Sequence, residues 1–279
     1  MDYSTYALTD LLDAFASNDP VPGGGIAVSP RELITIFGQN LGPSTAQATA
    51  PSLLPPSNTV YAYPTSSNGV TVTFQIPGII APVPAPLIMV SSNQINCVVP
   101  QKVATVIGKT APGNQVKIVV TNNSLAPASI TATAVLANPG LFSFDGMGKG
   151  QAAVLNYDST SGSYIINATS SPATKGATIL IYATGMGDLA DPTNAIVDGQ
   201  VATGATPLAA MDTVAVSISG QQAVVTYAGT TPQAVAGLVQ INAIVPPTMS
   251  GLPNPPVSVS IGDATNARTS QQSITIAAK

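Results

Sequence analysis

The chain carries the same passage twice, and that repetition limits its possible folds more than any other feature. APLIMVSSNQINCVVP ends at Pro100 and AVVTYAGTTPQAVAGLVQINAIVP ends at Pro246; each closes on Gln-Ile-Asn, two further residues and Val-Pro. Upstream, LITIFGQNLG (33–42) matches TILIYATGMG (178–187). Leu33 to Thr178 is 145 positions and Gln94 to Gln240 is 146, so one unit is duplicated. Half of 279 residues is an ordinary domain size, with room for its own core.

From Ile26 onward the pattern has period two, rich in β-branched residues and turn formers. The candidate strands of the first unit are 33–37, 70–74, 87–90, 95–99, 116–120 and 130–135. Those of the second are 179–182, 214–218, 223–227, 238–245, 257–261 and 274–276, and the two sets match one for one. Short strands between Gly, Pro and Ser turns predict an immunoglobulin-like sandwich in each unit. Between the units, 152–157 and 164–167 flank DSTSGS and predict a β-hairpin connector. Residues 43–68 show no sustained period and read as a long loop. Leu8, Leu11, Leu12 and Phe15 fall at i, i+3, i+4 and i+7, with Thr9 as N-cap, which predicts a short amphipathic helix. Pro20 and Pro22 end it before a run of three glycines.

The expected fold is therefore all-β: two tandem immunoglobulin-like β-sandwich domains with a short N-terminal helix. The boundaries are 1–25 for the helix and its Gly/Pro hinge, 26–137 for the first sandwich, 138–172 for a linker with the hairpin, and 173–279 for the second sandwich.

Charge narrows the function classes. Only 7% of residues are charged, and none lies in 33–101 or in 213–262. A net charge of −4, with eight scattered Lys or Arg, argues against nucleic acid. No apolar run reaches the ~20 residues of a membrane span. The opening MDYSTYALTD has neither the basic nor the apolar region of a signal peptide. Cys97 is the single cysteine, so an internal disulfide framework and a Cys-rich metal site are excluded.

Without His, neither a Ser-His-Asp arrangement nor a His-ligated metal is possible. Cys97 corresponds to Ala243 in the other copy and reads as a small core residue. Ser143 or Ser163 could formally pair with Lys149 or Lys175, but no motif accompanies them. GMGKGQ (146–151) lacks the P-loop spacing and reads as a turn. Asp188, Asp191, Asn194 and Asp198 offer oxygens for Ca²⁺ without EF-hand spacing, and read as a solvated loop. Glu32 is the only Glu, so no facing acid pair for sugar hydrolysis is visible. Asn122 and Asn167 begin glycosylation sequons. No catalytic, cofactor or metal site is expected, and no enzyme.

The repeated segments read as scaffold. Gly38, Asn40, Gly42, Gly185 and Gly187 follow strands where a tight turn favours positive φ. In each Gln-Ile-Asn, Ile points to one face and the two amides to the other. There they can pair backbone groups where a ladder is interrupted, or contact a ligand.

SPRELITIFGQNLGP, APLIMVSSNQINCVVP, NPGLFSF, GQAAVLN, GATILIYATGMGD and AGLVQINAIVP, in this order over residues 26–279, resemble the Solibacter-type C-terminal domain family of secreted or surface proteins of Acidobacteria. The resemblance implies an extracellular, non-catalytic module, with no catalytic residues to carry over. DLLDAFASNDPVPGGG is similar to the opening of the cyclodeaminase/cyclohydrolase family, but the similarity stops at Ile26 and brings no folate activity.

The expected function is a structural protein, secreted or at the cell surface: a tandem β-sandwich spacer, or a self-assembling surface or filament subunit. Its partners would be further copies, another surface protein or a glycan. Edge strands normally carry charges that block edge pairing, and here those are nearly absent. The alternative is an adhesin-like or carbohydrate-binding sandwich, with Tyr61, Tyr63 or Tyr164 making contact.

Overall fold

A computed structural model describes residues 8–13, 26–56, 59–123, 125–193, 195–249, 253–263 and 267–279. Its strands of four residues or more are β1 (Leu8–Asp13), β2 (Leu33–Gly38), β3 (Val70–Gln75), β4 (Leu87–Val90), β5 (Gln94–Val98), β6 (Gln115–Asn122) and β7 (Ala128–Ala134). They continue as β8 (Val154–Asp158), β9 (Ser163–Ile166), β10 (Thr178–Thr184), β11 (Ala215–Ile218), β12 (Gln221–Thr230), β13 (Val239–Ile244) and β14 (Val257–Ile261). Helical structure among the described residues is limited to two 3-10 segments, Gln101–Val106 and Met211–Thr213. No helix there is long and apolar enough to cross a membrane.

The N-terminal helix is a correction. Leu8–Asp13 forms a strand that pairs antiparallel with β2, from Leu8 opposite Gly38 to Asp13 opposite Ile34. The i, i+3, i+4 spacing of three leucines records only a local preference. The open edge of β2 offers a row of backbone donors and acceptors that a strand satisfies and a helix does not. Phe15 and the Gly/Pro hinge lie outside the described residues.

The first hydrophobic core lies between two sheets. One runs β1-β2-β5-β4 and then Gln47–Ala48; the other runs Ala27–Val28, then β7-β6-β3 and Ser66–Ser67. Period two is visible in β6, where Val116, Ile118 and Val120 are buried while Gln115 and Lys117 are exposed. Ile34, Ile36, Ile95 and Cys97 from one sheet share a cluster with Val72, Phe74 and Ile118 from the other.

The second core is enclosed by a nine-stranded sheet that turns back over itself. Its path is β9-β8-β10-β13-β12-β11-β14 and then Arg268–Thr269, with Gly140–Leu141 also on β10. β12 makes the turn: Gln221 to Ala223 pair with β11, and the strand from Val224 pairs with β13. In the first copy the same step is split in two, Val83–Pro84 pairing β3 and β4 pairing β5. Pro84 and Pro86 have no N–H to carry a continuous ladder through that point. The hairpin β8–β9 forms as expected, but it is an edge of this sheet, since β8 pairs β10. Among the described residues of the 43–68 loop there are four two-residue strands.

Of the turn positions, Asn40, Gly185 and Gly187 take positive φ (58°, 71° and 83°). Gly42 does not; a Cβ there would sit 3.0 Å from the Ser91 carbonyl oxygen, so close approach is what calls for glycine.

Candidate functional site

Two arrangements stand out. The first joins the halves of the chain. Arg31, 3% exposed, donates from Nε to Asp188 Oδ1 at 3.0 Å, and its Nη1 lies 4.0 Å from Asp198 Oδ1. Gln101 closes the cluster: its N–H donates to Asp198 Oδ1 (2.8 Å) and its Nε2 to Asp188 Oδ2 (2.7 Å). Beside it, Glu32 accepts from the Ser29 N–H and, across the junction, from Asn138 Nδ2 at 3.0 Å. The Leu33 N–H donates to Thr184 Oγ1 at 2.7 Å, and that hydroxyl donates to the Gly237 carbonyl. Gly237 is bare because a Cβ would meet the Arg31 carbonyl oxygen. Arg31 itself has φ 61°, unusual for a residue with a side chain, and its N–H donates to the Val99 carbonyl. Burial pushes the Asp198 carboxyl above its usual range, against the opposing pull of the Gln101 N–H and Arg31.

The expectation of a solvated Asp loop is thereby corrected. Asp188 and Asp198 are partly buried and turned to a guanidinium, while Asp191 accepts from the Ile196 N–H and the Thr193 hydroxyl. Asn194 lies outside the described residues. Among the described residues, no group of three or more His, Cys, Asp or Glu could hold a metal ion.

The second arrangement is a groove of about 540 Å³ on the outer face of the nine-stranded sheet, lined by Tyr164, Tyr182, Tyr227, Gln240, Asn242 and neighbours that carry no charge. Register explains it. Tyr182 lies opposite Gln240, which lies opposite Gly229; Leu180 lies opposite Asn242, which lies opposite Tyr227. Ile241 between the amides is fully buried in the core, so Gln240 and Asn242 face outward. Tyr227 reaches this face through an irregularity: the register shifts between Val225 and Tyr227, leaving Thr226 as an extra residue. Without that bulge Tyr227 would oppose Ile241 and point into the core. The wall beyond Gly229 is the 204–207 loop, pinned by Thr230 Oγ1, which accepts from the Thr206 N–H and donates to the Gly204 carbonyl. A Cβ on Gly229 would collide with the Thr206 carbonyl oxygen.

Within the groove Gln240 Nε2 donates to Asn242 Oδ1 at 2.8 Å, as Gln94 Nε2 does to Asn96 Oδ1 in the first copy. The expectation that these amides pair with backbone groups is corrected, although a register shift does lie beside the Asn in both copies. In the first copy Thr35, Phe37 and Met89 stand where the second has Leu180, Tyr182 and Tyr227. Burial, followed by the neighbouring Tyr164, raises the Tyr182 hydroxyl above its ordinary range. The Tyr227 hydroxyl, also raised by burial, donates to the Thr230 carbonyl at 2.9 Å. Among the described residues Thr231 Oγ1 is buried without a partner.

Of the tyrosines singled out in the sequence, Tyr164 lines this groove. Tyr61 and Tyr63 lie at the junction: the Tyr61 carbonyl accepts from the Val201 N–H, and the Tyr63 N–H donates to the Gly199 carbonyl. Tyr182 and Tyr227 escaped the sequence reading, because strand alternation leaves open which residues of separate strands meet. Cys97 is fully buried, and burial pushes its thiol well above the ordinary range, so no thiolate is available. The Ser143 hydroxyl is engaged by Asp145 and the Gly148 N–H, and the Ser163 hydroxyl lies against Ser161. Asn167 of the second sequon is wholly buried, and Asn122 of the first donates to the Asn40 carbonyl.

No family model matches the chain, and no curated protein matches it. Among solved structures, it is similar to the plexin A4 extracellular region at 11% identity and TM-score 0.25, covering 99% of this chain and 16% of that one. It is also similar to a chimeric titin Z1Z2 (10% identity, TM-score 0.22, 100% of this chain and 99% of that one). A titin pair of tandem Ig domains follows at 7% identity and TM-score 0.22, covering 91% of this chain and 93% of that one. Similarities of this order carry no argument of their own; the description of the chain as nearly all β, in several sheets, rests on its own strand pairing.

Proposed function

We infer that the chain is a non-catalytic structural module of the cell exterior: two tandem immunoglobulin-like sandwiches, the second taking in the 138–172 segment expected as a linker, acting as a spacer. The single observation that carries this reading is the Arg31 cluster. A buried guanidinium shared by two carboxylates, with Gln101 closing it, ties residues from both halves of the chain into one network. Such a network limits hinging, which suits a part that transmits distance. The resemblance of residues 26–279 to the Solibacter-type family supports placing it outside the cell.

Small-angle scattering of the full chain and of Arg31→Ala tests the reading. The wild type should give a profile of fixed dimensions, and the variant a larger, flexible one. A wild type already flexible, or a variant with an unchanged profile, would sink the spacer.

A second reading, self-association, is favoured by β9. This edge strand holds Tyr164, Ile165 and Ile166 at 58%, 47% and 57% exposure, with no charge between Ser163 and Ile166. Unguarded edges of this kind pair with other strands, and a further copy of the same edge is the partner at hand.

A further inference from the structure

We propose that the tyrosine-lined groove on β10, β12 and β13 is a binding site for a neutral oligosaccharide. The lining decides the ligand class. It has no charged side chain, which leaves phosphates, nucleotides and acidic or basic peptides without a counter-charge. Three tyrosines supply aromatic surface of the kind on which the apolar face of a sugar ring packs. Leu155 and Leu180, directly opposite each other, form an apolar floor.

The amide pair supplies orientation. Gln240 donates from Nε2 to Asn242 Oδ1, which fixes both side chains and leaves Gln240 Oε1 as an acceptor and Asn242 Nδ2 as a donor. Among the described residues neither has a protein partner. A fixed acceptor beside a fixed donor suits two adjacent hydroxyls of a sugar, each of which both donates and accepts hydrogen bonds. Thr231 Oγ1, buried and unpaired in the same lining, adds a further polar group. A volume of about 540 Å³ lies within the usual span of small-ligand sites, ~300–1,000 Å³.

The first copy provides an internal contrast. It keeps the amide pair but has Thr35, Phe37 and Met89 in place of Leu180, Tyr182 and Tyr227, and its Thr35 hydroxyl is spent on Asn96 Oδ1 at 3.1 Å. The hydroxyl-bearing aromatic wall belongs to the second copy alone. This proposal does not rest on the spacer reading: a flexible chain that binds sugar and a fixed chain that does not are separate results.

The test uses the full chain with cellohexaose, laminarihexaose, mannohexaose and maltohexaose as probes. The chain has no Trp, and three of its eight tyrosines line the groove, so tyrosine emission is the readout and the groove substitutions assign the change to this site. At least one hexasaccharide should change that emission saturably. Tyr182→Ala and Gln240→Leu should each weaken binding about tenfold, roughly 1.4 kcal/mol, while Tyr61→Ala at the junction leaves it unchanged. Thermal melts check folding; if Tyr182→Ala does not fold, Tyr182→Phe and Gln240→Leu carry the test. No response to any hexasaccharide at millimolar concentration overturns the proposal, as does binding indifferent to both groove substitutions. Tyrosine emission that changes on dilution without responding to sugar would assign the groove to a second copy, and overturns it equally.

Discussion

Asn167 carries more hydrogen bonds than its place in a loop suggests. Its Nδ2 donates to Asn156 Oδ1 (2.9 Å) and to the Ala277 carbonyl (2.8 Å), while its Oδ1 accepts from the Ala277 N–H and Gln151 Nε2, both at 2.8 Å. Asn167→Ala leaves the Ala277 N–H buried and unpaired, while the Ala277 carbonyl still accepts from the Ala173 N–H, and should cost about 2 kcal/mol in urea unfolding. A loss below about 1 kcal/mol would mean that water replaces the amide. Asp198 makes the pH prediction. Because burial raises its pKa, the folded state holds its proton more tightly than the unfolded chain. Its contribution therefore favours folding as pH falls through the folded pKa and opposes it above. Asp198→Asn should be at least as stable as the wild type at pH 7, and should lose that advantage on acidification toward the ordinary carboxylate value, ~3.9. Denaturation at several pH values checks the sign; a variant weaker at neutral pH would reverse it. The surface groups Asp145 and Asp158 run the other way: hydrogen bonds from Ser143 and Ser161 lower their pKa values, so their contribution is lost on acidification.

At the scale of elements, the strands were legible and their company was not. β4 and β14 match the sequence expectation residue for residue, because alternation and flanking turns are local signals. β1 went the other way, since six residues with helical spacing found an unfilled sheet edge. The bulge at Thr226 had no signal in the sequence, yet it decides which face Tyr227 occupies. β9 yields the element-scale prediction. Ile165 lies on the face opposite Tyr164 and Ile166, so Ile165→Lys guards the edge and leaves the groove side untouched. Light scattering should show association of the wild type that rises with concentration, and a monomeric variant with an unchanged melting temperature. A wild type monomeric at every concentration would remove the self-association reading.

At the scale of the molecule, the Arg31 cluster couples the two cores. Removing the guanidinium strands two partly buried carboxylates, so Arg31→Ala should lower stability by about 3 kcal/mol as well as loosening the scattering profile. The internal repeat, the period-two strands and the scarcity of charge were all readable along the chain, because each is written in neighbouring residues or in self-similarity at a fixed offset. It takes the folded chain to bring Arg31 to Asp188, 157 positions away, and to set Tyr164, Tyr182 and Tyr227 on one face. The physical reason is that register, bulges and the closing of one sheet over itself depend on which strand edges are free. That is a property of the assembled backbone rather than of any local stretch.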